Sequence, residues 1–197
     1  MKDVFEKTFT ELGGKGLLKE SFNAGETDFR SLLSKVRASK ADAMYLAGYY
    51  SEIAVLMRQA KELGLKVKTF SCVGVYEPQF IDLAKSAAEG LIFSAPAYDP
   101  KSHRPATIAF VENFKKSNNN TEPGIFQAHG YDSLKVIAEA IKMANTTNTD
   151  EVRKALYSIK NFEGATGVMS IDKNGDVDKD SRILQVKNGS FVSYEGN

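Results

Sequence analysis

The sequence predicts an α/β protein, a parallel sheet with flanking helices. Two observations carry this. In the first half of the 197-residue chain, short apolar runs alternate with stretches whose apolar residues recur at helical spacing. Single helices between strands imply right-handed crossovers, and so parallel pairing. In the second half, helices follow one another directly and strands return only near the end.

Taken in order, Val4, Phe5, Phe9 and Leu12 fall on one face of an opening helix, and Gly13-Gly14 stops it. This opening lacks the apolar core and small-residue cleavage site of a signal peptide. A chain that begins in an amphipathic helix is expected to have lost a preceding strand. Residues 16–22 read as a strand. Phe29, Leu32, Leu33 and Val36 follow at helical spacing, with Thr27 or Asp28 as N-cap. Residues 42–47 are the next strand. Ser51 caps a helix carrying Ile53, Leu56, Met57, Ala60 and Leu63, stopped by Gly64. Residues 67–73 form a third strand, 78–87 a helix and 91–95 a fourth strand.

Residues 107–116, 129–144 and 150–159 then read as helices, with no convincing strand between the last two. Residues 168–171, 181–186 and 190–194 read as strands, with turns at Asn174-Gly175 and Asn188-Gly189. Three consecutive helices need a sheet to pack on, and the sequence supplies none that is obvious. The chain is therefore expected to hold part of a two-lobed protein.

Composition narrows the function classes. Twenty-six basic and 25 acidic residues leave a net charge of +1, which gives no electrostatic reason for a nucleic acid or anionic membrane partner. No apolar run approaches the ~20 residues that span a bilayer. Cys72 is the single cysteine, so no intramolecular disulfide forms. It reads as a buried, inert thiol inside the third strand.

In open parallel sheets, ligands bind at the carboxyl ends of the strands. The loops there carry Tyr49, Tyr50, Tyr76 and Tyr98. Tyrosine combines a flat apolar face with one hydroxyl, which suits a small ligand of mixed polarity. Tyrosines at strand ends also cap cores. Residues 172–180 invite a calcium reading, but Gly175 and Ile183 stand at positions four and twelve, where an EF-hand needs neither. A solvated hairpin turn fits better. His103 and His129 lack metal or triad spacing and read as surface or hinge residues. Gly13-Gly14-Lys15-Gly16 has no phosphate-loop spacing. With no nucleophile–base pair and no metal cluster, the reading is a binding protein, not an enzyme, with no cofactor or metal.

An ordered set of motifs supports a closer identification: Ala24-Gly-Glu-Thr-Asp-Phe29, Ala47-Gly-Tyr-Tyr-Ser-Glu52, Met57-Arg-Gln-Ala60 with Leu63-Gly-Leu65, Ala87-Ala-Glu-Gly90, Gly130-Tyr-Asp-Ser133, and Phe162-Glu-Gly-Ala-Thr-Gly167 with Asp172-Lys-Asn-Gly-Asp176. Together they resemble the branched-chain amino-acid (Leu/Ile/Val) binding proteins of bacterial ABC importers. The resemblance implies two Rossmann-like lobes of the type I periplasmic-binding fold, joined by a hinge and closing on ligand. Each lobe would be a Rossmann-like parallel sheet with flanking helices. Residues 1–95 and 183–197 would then belong to the second, C-terminal lobe, and 96–182 to a partial first lobe and hinge.

The resemblance also implies a function. A small amino-acid-like ligand would be bound by hinge closure and delivered to an ABC permease, in the periplasm or outside the cell. The alternative on the same fold is a ligand-sensing domain of a receptor. Tyr49 would face the ligand, with Tyr50, Val73 and Tyr76 beside it and Phe126 and Gln127 lining the cleft. Val73 departs from the family pattern, since amino-acid binders place a carboxylate there for the ligand ammonium. A buried ammonium needs a strong acceptor. Either Glu77 or a backbone carbonyl stands in, or the ligand is not a free α-amino acid. With half of the cleft expected elsewhere, weak or no binding by this chain alone is anticipated, and exposed apolar faces could be covered in a homodimer.

Overall fold

The computed structural model describes residues 2–196. The helices and strands are α1 (Lys2–Glu11), α2 (Arg30–Ser39), β1 (Ala43–Leu46), α3 (Tyr50–Glu62), β2 (Lys68–Ser71), α4 (Pro78–Ala84) and β3 (Ile92–Pro96). Then come α5 (Pro105–Ser117), α6 (Ile125–Ala144), α7 (Thr149–Ser158), β4 (Phe162–Gly164), β5 (Gly167–Ile171) and β6 (Val177–Asp178), and finally β7 (Ser181–Lys187) and β8 (Ser190–Ser193). The chain divides into two compact units: Met1–Ala95 with Ile183–Asn197, and Pro96–Arg182.

The sheet of the first unit has the order β1-β2-β3-β7-β8. β1 and β2 pair in parallel, as do β2 and β3, while β7 and β8 form an antiparallel hairpin. Asn188 and Gly189 both take positive φ at the tip of that hairpin, as a two-residue turn of this hand requires. The core is built from Phe29, Leu33 and Val36 of the α2 region, Ile53, Leu56, Met57 and Ala60 of α3, Phe80 and Ala84 of α4, and Phe93, Leu184 and Val186 of the sheet. Each fully buried large side chain contributes about 1.5–3 kcal/mol.

Residues 16–22, expected as a strand, form none. They run without regular structure, and Leu17 and Leu18 are exposed. A strand exists only when a neighbour takes its backbone hydrogen bonds. β1 is the edge of the sheet and pairs only with β2, so its outer side is open, but among the described residues this segment forms no ladder with it. The segment is held by Phe22, whose ring meets Phe29 edge-on at 5.3 Å, and by ion pairs of Lys19 with Glu6 and of Glu20 with Lys35. α1 ends at Gly13 (φ +86°) as its glycines require. Its Phe5 ring stacks on Tyr45 of β1 at 3.9 Å, while Val4 and Leu12 stay exposed.

Helix starts depart from expectation as well. Neither Thr27 nor Asp28 is the N-cap of α2. Phe29 occupies that position and has no side-chain cap bond of its own. The buried amide of Gln59, on α3, takes the place of the cap. Its Oε1 accepts from the Phe29 N–H at 2.7 Å, and its Nε2 donates to the Thr27 carbonyl at 2.9 Å. α3 is capped at Tyr49, and Ser51 lies within its first turn. Cys72 is buried, but it sits just beyond β2, at the start of a 3-10 turn over Val73–Val75.

The second unit corrects the expectation that three helices would lack a sheet. β4, β5 and β6 form a small antiparallel sheet. Val136 and Ala140 of α6 pack against it with Ile159, Met169 and Ile171, and Val152, Ala155 and Leu156 of α7 close the cluster. Sequence analysis missed β4 and β6 because each is three residues or fewer. The segment 172–176 is a turn: the Asp172 carboxylate accepts from the backbone N–H groups of Asn174 and Asp176, both at 2.8 Å. Those bonds hold its carboxyl below the usual range, Asp176 contributing most.

One buried carboxylate joins α6 to the β4–β5 turn. Asp132 is 2% exposed and accepts from Ala165 N–H (2.7 Å), Thr166 N–H (2.8 Å) and the Thr166 hydroxyl (2.6 Å). Thr107 of α5 donates its hydroxyl to the Ala165 carbonyl at 2.8 Å. A Cβ on Gly164 would lie 2.5 Å from the Asp132 carboxylate, so glycine lets the turn approach this closely. Asp132→Ala strands these donors in a dry site and is predicted to remove about 3 kcal/mol of stability, read as the urea midpoint. A loss within experimental error would show that the turn is held by other contacts.

Candidate functional site

The carboxyl ends of β1 and β2 face one edge of the first unit, and two loops meet there. The first runs from Ala47 to Tyr50, where α3 begins. The second is the turn at Val73–Val75. Their contact is backbone on backbone: a Cβ on Gly74 would sit 2.2 Å from the Gly48 carbonyl oxygen and 3.5 Å from the Tyr49 Cα. Only a residue without a Cβ allows this approach. Ser71 reinforces it from below, donating its hydroxyl to the Leu46 carbonyl at 2.7 Å.

A third loop is tied to the same edge. Residues 23–26 form a turn in which Glu26 N–H donates to the Asn23 carbonyl (3.2 Å) and the Glu26 carboxylate accepts from Asn23 N–H (3.1 Å). Gly25, at φ +80°, donates its N–H to Glu52 of α3 at 2.8 Å. Glu52 also accepts from the Ser51 hydroxyl. The Ser51 bond and then the Gly25 bond hold its carboxyl below the usual range.

The expected site residues fall into distinct settings. Tyr49 is 70% exposed, projecting from the N-cap of α3. Tyr50 is half-buried as the first residue of that helix. Val73, half-buried, lies beside the Gly48–Gly74 contact. Tyr76 is used differently: its ring packs against Phe93 (5.6 Å) and Phe191 (5.1 Å), and so anchors the loop on the sheet. Tyr98, Phe126 and Gln127 belong to the second unit. The Tyr98 hydroxyl donates to the Pro123 carbonyl at 3.2 Å. Phe126 and Gln127 lie in the first turn of α6, which begins four residues earlier than expected, and both are exposed.

Charge at the edge of the first unit is unevenly used. Glu26, Asp28 and Glu52 each accept a bond from their own surroundings. Glu77, at the N-cap of α4, is half-buried, and no side-chain partner is recorded for it among the described residues. Burial pushes its carboxyl above the usual range. His129 is half-buried on α6, not a plain surface residue, and His103 is exposed. Among the described residues no group of His, Cys, Asp or Glu could hold a metal ion, and no helix is long and apolar enough to cross a membrane.

Sequence analysis missed Glu52, Gln59, Gly74 and Asp132. Each acts on backbone groups far along the chain, so for Glu52, Gln59 and Asp132 local pattern carries no trace of the role. Gly74 alone left a signal, a glycine directly after a strand.

A family profile described as periplasmic binding protein matches residues 1–190. The leucine-, isoleucine-, valine-, threonine- and alanine-binding protein of Pseudomonas aeruginosa is 32% identical over 193 residues, 96% of this chain and 48% of its own length. A leucine-binding protein from Thermotoga maritima superposes with a TM-score of 0.87 at 36% identity, over 98% of this chain and 55% of that one. A branched-chain amino-acid transporter substrate-binding protein from Streptococcus pneumoniae, solved with isoleucine, gives 0.79 at 28% identity, covering 96% and 54%. The chain thus spans about half the length of the relatives it matches. It belongs to the periplasmic binding protein family.

The loop contact yields a test. Gly74→Ala drives a Cβ into a backbone carbonyl and is predicted to cost about 2 kcal/mol or more. In Gly48→Ala the new Cβ meets the Phe22 ring and Ile53 side chain at 3.0–3.1 Å, and side chains can give. It should cost less. Equal losses in chemical denaturation would contradict the close approach at Gly74.

Proposed function

We propose that this chain is part of the solute-binding component of an ABC importer, and that the ligand is a branched aliphatic amino acid or its near analogue. The observation that carries the reading is the Gly48–Gly74 contact, which builds a continuous surface from two strand-end loops with Tyr49 exposed on it. The family supports it, as do the ligands named for the Pseudomonas and Streptococcus relatives. On this reading the first unit is the second lobe of the whole protein. The second unit is part of the first lobe with the hinge, Phe126 and Gln127 line its share of the cleft, and the protein works in the periplasm or outside the cell. Ligand contacts made in both lobes stabilise the closed form, which the membrane permease recognises.

The ligand's ammonium requires an acceptor. Val73 offers none at its side chain. Glu77 has a carboxylate that burial pushes above the usual range, with no cation paired to it among the described residues. A bound ammonium would relieve it. Glu77 is therefore the acceptor in this reading, and Tyr49 and Tyr50 supply apolar surface for the ligand side chain.

In the intact protein, thermal shift against leucine, isoleucine, valine and their deaminated acids tests the class. A ligand at about 100 times its Kd stabilises by about 2.7 kcal/mol. Tyr49→Ala is predicted to weaken binding by more than about tenfold, as for a buried aromatic anchor, with little loss of stability because the ring is exposed without ligand. Glu77→Gln is predicted to weaken amino acids while sparing deaminated acids. Val73→Glu is predicted to raise affinity for free amino acids. Unchanged affinities in all three variants would remove this edge from the site.

A further inference from the structure

A second feature lies in the second unit, around the start of α6. His129 Nδ1 stands 2.7 Å from the Ile125 carbonyl oxygen. A carbonyl only accepts, so Nδ1 carries the proton and Nε2 presents a lone pair. Lys179, in the link from β6 to β7, places its ammonium 3.2 Å from that Nε2. The same ammonium donates to the Thr166 hydroxyl oxygen at 2.6 Å, and that hydroxyl donates to Asp132. A continuous chain of bonds thus runs from the first turn of α6 through the 179 segment to the β4–β5 turn and back to α6.

We propose that Lys179 is a positioning residue: through the neutral imidazole of His129 it fixes the first turn of α6, where Phe126 and Gln127 sit, and makes that fixation sensitive to acid. Its bearing on ligand binding rests on the function proposed above. Protonation of His129 removes the lone pair that Lys179 uses. It also sets two cations about a hydrogen-bond length apart. The charged groups facing the imidazole are Lys179 on the β6–β7 link and Asp132 on α6 itself, and the Thr166 hydroxyl of the β4–β5 turn is uncharged.

The shift on His129 agrees in direction. Burial lowers its pKa from 6.5, Lys179 lowers it further, and the Ile125 bond and Asp132 oppose. Burial likewise lowers Lys179. For a histidine whose folded pKa is depressed, the unfolded chain binds the proton first. Its contribution to stability is therefore complete above the ordinary pKa of 6.5 and is lost as pH falls from there through the folded value.

The test uses the intact protein and three readouts. NMR titration of wild type should show the His129 imidazole titrating below 6.5, and Lys179→Met should move it upward. Amide exchange over residues 125–130 should quicken as His129 takes its proton, and His129→Gln, which cannot charge, should abolish that step. Isoleucine affinity should fall as the same proton is taken up, on the order of tenfold for each unit by which ligand shifts the imidazole pKa, and His129→Gln should flatten that fall. A His129 that titrates at or above its ordinary value, or an exchange step that survives His129→Gln, overturns the proposal. If no branched amino acid binds the intact protein at any pH, the functional reading falls, and the titration and exchange still decide the role of Lys179.

Discussion

Because β1, β2 and β3 run parallel, β1 and β2 must each be followed by a crossover, and both crossovers start from the same edge of the sheet. The rest of the first unit depends on that constraint. It collects the loops after β1 and β2 on one rim, where sequence distance no longer matters. Gly48 and Gly74 are 26 positions apart and touch through their backbones. Tyr49, at the N-cap of α3, stays exposed although Ile53 and Leu56 further along the same helix are buried. The tyrosine in the second loop follows the opposite logic: Tyr76 has Phe93 and Phe191 beneath it, so its ring holds the loop down.

The parts of the fold that the sequence revealed are those specified locally. Apolar periodicity located α3, α5, α6 and α7 to within a few residues, and the Asn-Gly pairs marked both turns near the C-terminus. Elements that depend on a partner were not legible. Residues 16–22 stand where the alternation places a strand, yet strand formation is a property of a pair, and among the described residues no neighbour ladders with them. β4 and β6 show the converse, since each is too short to leave a pattern and is held by β5. At the candidate site the tyrosines were visible because residue type alone marks an amphipathic surface. Glu52 and Gly74 were not, because their roles consist of meeting backbone atoms of another loop.

The two units are stabilised by different means. In the first, large side chains such as Phe29, Ile53, Leu56, Phe80 and Phe93 fill the space between sheet and helices. In the second, an apolar cluster around Val136 and Met169 is joined by a buried carboxylate on α6 that accepts from three donors. Hydrogen bonds to a buried charge are directional where apolar contact is not. The second unit is thereby fixed in geometry more than in bulk. The start of α6, the β4–β5 turn and the link through Lys179 share one set of bonds, so none moves without disturbing the others.

Gln59 ties the start of α2 to a helix made later in the chain. The N-cap Phe29 makes no side-chain cap bond; Asp28 accepts from the Arg30 N–H at 3.2 Å, and the amide that accepts from the Phe29 N–H comes from 30 residues further along, on α3. Nucleating a helix of ten residues is unfavourable in isolation. A single amide thus couples two helices distant in sequence, its donor and its acceptor each aimed at a different backbone group.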